Sequence, residues 1–155
     1  KSCRYQGIDL NTSFIKYGKG KGRHIEYGNI FEETLYPKSD IVLLCDILHH
    51  LNKTKMKQLL ELSMQYSQEK VIIIEPAFVS IASAKNPISR FLGRMFSLAD
   101  ADGINEIEKW LSEEEYNQLF SFIKSFPRVL ELVVHKHHFH YFVEVFLSNE
   151  PNRSH

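Results

Sequence analysis

The chain has 155 residues, 43% of them hydrophobic and 25% charged, with 19 basic residues balancing 19 acidic ones. That is the composition of one globular domain, residues 1–155, with enough apolar material for a core, and it excludes a disordered or collagen-like chain. A net charge of zero offers no overall field to draw in nucleic acid or an anionic membrane, so nucleic acid is not a favoured partner.

The two cysteines, Cys3 and Cys45, lie far apart, and Cys45 falls in an apolar run that reads as a buried strand. The expectation is a reduced, cytoplasmic protein without disulfides. No apolar run reaches the roughly 18 residues that span a bilayer, and no signal peptide is visible.

In chain order, Tyr5 to Leu10 reads as a short strand ending in the acidic Asp9. A brief helix is predicted around Thr12 to Tyr17, then a second strand over Arg23 to Tyr27, closed by Gly28-Asn29. Asp40 to Cys45 is a continuous apolar run behind one charge, the pattern of a strand covered on both faces. Asn52 or Thr54 can cap a helix whose Met56, Leu59, Leu60 and Met64 share one face. Lys70 to Glu75 reads as another buried strand, stopped by Pro76.

Strands alternating with amphipathic helices imply a parallel sheet with helices on its faces. Ligands of such sheets bind beyond the carboxyl ends of the strands, which singles out Asp9, Asn29, Cys45, Asp46 and Glu75.

The second half differs. Asn86-Pro87 can open a helix with Ile88, Phe91, Leu92, Met95 and Phe96 on one face and Arg90 and Arg94 beside them. Ser112 and Glu115 form a capping box, Leu111 can staple against Tyr116, and Tyr116, Leu119, Phe120 and Ile123 give the following helix its core face. After Pro127, Val129 to Val134 and Phe139 to Leu147 read as two strands whose short connection makes them antiparallel neighbours.

The run Asp40-Ile41-Val42-Leu43-Leu44-Cys45-Asp46-Ile47-Leu48-His49-His50-Leu51 resembles the fourth-strand motif of class I S-adenosylmethionine-dependent methyltransferases. There an aspartate opens the strand, and a polar pair at its end precedes a Leu-His-His-Leu helix start. Gly7-Ile8-Asp9 resembles that family's second strand, Gly28-Asn29-Ile30 the loop after the third, Val71 to Pro76 the fifth, and the closing hairpin the antiparallel sixth and seventh. These matches run colinearly along nearly the whole chain.

The resemblance implies a Rossmann-like, mostly parallel α/β sheet with helices on both faces and an antiparallel C-terminal hairpin, and S-adenosylmethionine as cofactor. Asp9, with Leu10 beside it, would meet the ribose hydroxyls; Asn29 and Ile30 would meet the adenine. Cys45, Asp46 and His50 would lie at the methionine end. A carboxylate suits two vicinal hydroxyls, and the Asn29 carbonyl suits an exocyclic amine. The family often has an aspartate where Asn29 stands, so the acceptor is kept and the charge is lost. Taken singly, Asp9 and Asn29 are ordinary turn residues, and Cys45 a small core residue.

Gly18-Lys19-Gly20-Lys21-Gly22 has the spelling of a nucleotide-binding loop. It follows a helix and precedes a strand, the reverse of what such a loop requires, and reads as a flexible, solvated connection. His135 and His137 alternate onto one strand face while His138 and His140 fall near or past the turn, so no metal is expected. His49 and His50 are adjacent on a helical segment and do not share a face to chelate one ion; His50 alone is a candidate base. The glycine loop proper belongs roughly 20 residues before the acidic strand end, and eight residues precede Asp9. The first strand and its loop are therefore expected to be absent from this chain, through an omitted N-terminal segment, a partner chain filling the gap (self-association included), or loss of cofactor binding.

Residues 77–110 exceed a plain strand-to-helix link and imply a lid-like insertion over the substrate. In the family, the Asp102-Gly103 stretch leading to Glu114-Glu115-Tyr116 resembles enzymes acting on small-molecule or lipid-like acceptors. No Asn-Pro-Pro-Tyr-type motif for nitrogen acceptors follows the fourth strand. The amphipathic residues 88–96 would line the lid, touch a membrane surface, or pack on the core. The expected function is methyl transfer to a small-molecule or lipid-like acceptor. The alternative is a non-catalytic methyltransferase-like binding or assembly module.

Overall fold

A computed structural model describes residues 3–76, 111–137 and 140–148. The chain forms two compact units, Lys1–Pro37 and Lys38–His155. The predicted helix over residues 86–96, the 77–110 insertion and His138 lie outside the described residues.

In the first unit, β1 (Gly7–Asp9) pairs in parallel with β2 (Ile25–Tyr27), in the register Gly7 with Ile25 and Asp9 with Tyr27. Between them runs α1 (Thr12–Gly20), longer than the sequence suggested. Its cap is Asn11, whose side chain accepts the N–H groups of Ser13 and Phe14, satisfying two donors that a helix start leaves open. The helix carries through Gly18, which is buried, and a Cβ there would overlap Ile25 Cδ1. Glycine is the residue that lets α1 approach β2 this closely.

The second unit holds a four-stranded sheet in the order β3–β4–β6–β5, with β3 Ser39–Cys45, β4 Ser67–Pro76, β5 Val129–His137 and β6 His140–Leu147. β3 and β4 are parallel, with Leu43 opposite Ile72; β4–β6 and β5–β6 are antiparallel. The helix α2 (Lys53–Tyr66) is capped by Asn52, which accepts the Lys55 N–H. Its Met56, Leu59, Leu60, Ser63 and Met64 are buried at the predicted helical spacing.

The helix α3 (Glu113–Lys124) begins with the predicted capping box, Ser112 and Glu115 exchanging hydrogen bonds of 2.8 and 3.2 Å. Tyr116, Leu119 and Ile123 point inward, and the Tyr116 ring lies 4.4 Å from that of Tyr141 on β6. Val71, Ile73, Tyr141, Val143 and Val145 form the sheet side of this core, each such buried side chain contributing about 1.5–3 kcal/mol. Lys57 of α2 over the Phe122 ring of α3 shows the two helices side by side.

β3 departs from the expectation of a strand covered on both faces. Leu44 is buried, yet Ile41 and Leu43 on the other face are 49% and 52% exposed. Among the described residues no strand pairs with the outer edge of β3, and none precedes β1. An apolar run announces burial but not how many neighbours supply it.

Candidate functional site

Asp9 and Asn29 end up at the carboxyl ends of adjacent parallel strands, joined by a bond from the Gly28 N–H to the Asp9 carbonyl. Asp9 Oδ1 accepts the Asn11 N–H at 2.7 Å, so its carboxylate sets the exit from β1 towards α1. Asn29 Oδ1 accepts the Phe31 N–H at 3.0 Å, the side-chain turn typical of asparagine. Leu10 is exposed and Ile30 half-buried. Gly28 is buried, and a Cβ there would overlap Leu35 Cδ1.

Tyr36 escaped the sequence reading. Its hydroxyl donates to the Ile30 carbonyl at 2.7 Å, and burial pushes its pKa up to about 12. It therefore stays protonated and pins the loop that follows Asn29.

In the second unit, Cys45, Asp46, Glu75, His49 and His50 gather at the carboxyl ends of β3 and β4. Asp46 has φ 51°, the left-handed region that aspartate tolerates better than most residues, and its N–H donates to the Ile74 carbonyl. Cys45 is exposed rather than buried as expected, on the same face of β3 as the exposed Ile41 and Leu43. Its thiol donates to Asp46 Oδ2 at 3.5 Å. Partial burial, then the Asp46 charge and hydrogen bond, then the Glu75 charge, push its pKa up to about 11.

Glu75 is 1% exposed and accepts the N–H groups of Ile47 and Leu48 at 2.8 and 2.7 Å. His49, 2% exposed, brings Nδ1 to 2.8 Å from the other carboxylate oxygen. An ionised carboxylate only accepts, so this contact selects the His49 tautomer with the proton on Nδ1. The Tyr116 hydroxyl donates to the Pro76 carbonyl at 2.9 Å; burial, then Glu75, raise its pKa well above the ordinary tyrosine value.

The pairing of Glu75 with the turn had no sequence signal beyond its position at a strand end. His49 was overlooked for the half-buried His50, because residues 48–50 form a 3-10 turn rather than the first turn of an α-helix. Within that turn the two histidine rings lie 3.9 Å apart between centroids.

The glycine run divides differently from a plain solvated connection. Gly18 and Gly20 close α1, and Gly22 takes a turn at φ 72°. It precedes a strand, as expected, and opens no helix. His140 opens β6, past the turn as expected, and is the direct partner of His137. Among the described residues no group of three or more histidine, cysteine or acidic side chains could hold a metal ion.

No protein-family model matches this sequence, and no curated protein sequence does. Solved structures are similar to it. For the magnesium protoporphyrin IX methyltransferase of Synechocystis PCC 6803 with bound SAH, the TM-score is 0.59 at 12% identity, covering 92% of this chain and 64% of that one. For an O-methyltransferase family protein from Burkholderia thailandensis the TM-score is 0.61 at 14% identity, covering 92% and 43%. For LepI in complex with SAM it is 0.59 at 11% identity, covering 96% and 37%. The chain spans less than two thirds of the length of each. At these identities the likeness establishes the fold: this chain has the Rossmann-like fold of the class I methyltransferases.

Proposed function

We propose that this chain carries the S-adenosylmethionine-binding core of an enzyme that transfers a methyl group to a small-molecule or lipid-like acceptor. The observation that carries the reading is Asp9 at the carboxyl end of β1, beside Asn29 after β2, where open α/β sheets bind their ligands. The residues fit the cofactor. Asp9 spends Oδ1 on the Asn11 N–H, and its Oδ2 suits the vicinal ribose hydroxyls. Asn29 accepts from Phe31 with one lone pair of its carbonyl, which has a second for an exocyclic amine. Leu10 and Ile30 would flank them, and the resemblance to the family assigns Cys45 and Asp46, in the second unit, to the methionine end.

When bound, this cofactor supplies an electrophilic methyl group on a sulfonium. The chain's own work is then orientation, which lowers the barrier by fixing the line of attack. His50 is the residue proposed to take a proton from the acceptor, since a neutral imidazole carries one nitrogen that can accept it. Cys45 has no nucleophilic part in this reading, because a thiol with its pKa near 11 is protonated at neutral pH. Isothermal titration of the full-length protein with S-adenosylhomocysteine tests the reading. Saturable one-to-one binding is expected; no heat of binding would sink it and favour a methyltransferase-like module without a cofactor.

A further inference from the structure

The chain leaves β3 at Cys45, passes through the left-handed Asp46 and makes a 3-10 turn over Leu48–His50 before Asn52 caps α2. The opening N–H groups of such a turn have no partners within it and need acceptors. Glu75 supplies them from the end of β4. Its Oε1 takes the N–H groups of Ile47 and Leu48, while Oε2 takes the ring of His49 and, at 3.4 Å, its N–H. Three consecutive backbone donors thus converge on one fully buried carboxylate, an arrangement that favours a charged acceptor. This bond set holds Asp46 in a conformation that a non-glycine residue rarely keeps unaided.

We propose that Glu75 is a positioning residue: through the Ile47–His49 donors it fixes the turn that presents Asp46 and His50 to the ligand. The proposal rests on the cofactor reading above. Glu75 is buried beneath the turn, so its effect would reach the site through the backbone it holds. A glutamine there keeps the size and one acceptor oxygen, but turns an NH2 group towards the His49 donors and removes the charge.

The test uses the full-length protein and E75Q, with N52A as control, since Asn52 caps α2 without bonding to the Ile47–His49 donors. Three quantities are read: amide exchange at Ile47, Leu48 and His49, the dissociation constant for S-adenosylhomocysteine, and the thermal midpoint. For E75Q the expected result is exchange at those three amides faster by at least tenfold, with β4 and β6 still protected, and at least tenfold weaker ligand binding. For N52A a lower midpoint with ligand affinity within twofold of wild type is expected. Unchanged exchange at Ile47 and Leu48 in E75Q, or ligand affinity that simply follows the midpoint in both variants, overturns the proposal. Should E75Q fail to fold, E75D, which keeps the charge but draws it back from the turn, is read in the same way. If wild type binds no S-adenosylhomocysteine, the cofactor reading fails and the exchange data alone decide whether Glu75 holds the turn.

Discussion

Arg128 ties together the far end of the sheet from the candidate site, and its removal has a calculable consequence. Its Nη1 donates to the Met64 carbonyl at 2.6 Å, its Nη2 to Ser67 at 3.1 Å and Ser148 at 2.9 Å, and its Nε to Ser148 at 3.1 Å. One guanidinium therefore joins the end of α2, the start of β4 and the residue after β6. A cation also suits the carbonyls that close a helix. Each charge-assisted hydrogen bond is worth about 1.5–3 kcal/mol net where water is excluded. The group is half-buried, so water recovers part of that on truncation, and Arg128→Ala is expected to cost about 2–3 kcal/mol rather than the full sum. For a chain of this size that lowers the melting temperature by roughly 5–10 °C. Arg128→Lys keeps the charge but not the fork, and should cost about half as much. Equilibrium urea unfolding measures both, with an unchanged m-value showing that stability alone has moved. A loss below about 0.5 kcal/mol for Arg128→Ala would refute the clamp, because it would mean that water replaces every one of these bonds.

Glycine packing in α1 and the state of the Cys45 thiol are open to similar measurement. A Cβ at Gly18 would overlap Ile25 Cδ1 and crowd Cγ1 at 3.3 Å, whereas one at Gly20 meets nothing within 4 Å. Both substitutions gain up to about 1 kcal/mol of helix propensity, but at Gly18 the shift forced on Ile25 opposes it, so Gly18→Ala should be less stable than Gly20→Ala by about 1–2 kcal/mol; equal midpoints in urea would contradict the close approach. The Cys45 pKa, raised from 9.0 to about 11, keeps the reactive thiolate scarce through neutral and mildly basic pH. Alkylation of Cys45 by iodoacetamide at pH 8 should run about a hundredfold slower than for an unstructured thiol and speed up in Asp46→Asn. A rate matching the unstructured thiol would show that neither the partial burial nor the Asp46 contact raises the pKa of this thiol.

Much of this fold could be read from residue pattern because local signals and tertiary packing agree. Ser112 and Glu115 spell a capping box and form one. The stripe of Met56, Leu59, Leu60 and Met64 is buried where the period places it. The hairpin pairs Val129–His137 with His140–Leu147 as its short connection requires. What stayed hidden depends on contacts between distant residues. Glu75 and Ile47 are 28 positions apart, and nothing local marks a carboxylate that will serve a remote turn. Gly18 was read as solvated because the Ile25 side chain that excludes a Cβ lies on the next strand. Cys45 and Leu43 read as interior because composition reports apolarity, not which face of a strand is covered. The site residues were legible as strand ends; their hydrogen-bonding duties in the turns were not.

Under the proposed function, Asp9 at the carboxyl end of β1 holds the ribose of S-adenosylmethionine. The most direct test is isothermal titration of S-adenosylhomocysteine into the full-length protein and its Asp9→Asn variant. Asn keeps an oxygen to accept the Asn11 N–H and removes the charge and one acceptor, so α1 should remain capped. Loss of a charge-assisted bond of about 1.5–3 kcal/mol corresponds to binding weakened by roughly 10- to 150-fold, with the melting temperature unchanged. Equal affinity in the two proteins would show that Asp9 does not meet the ribose.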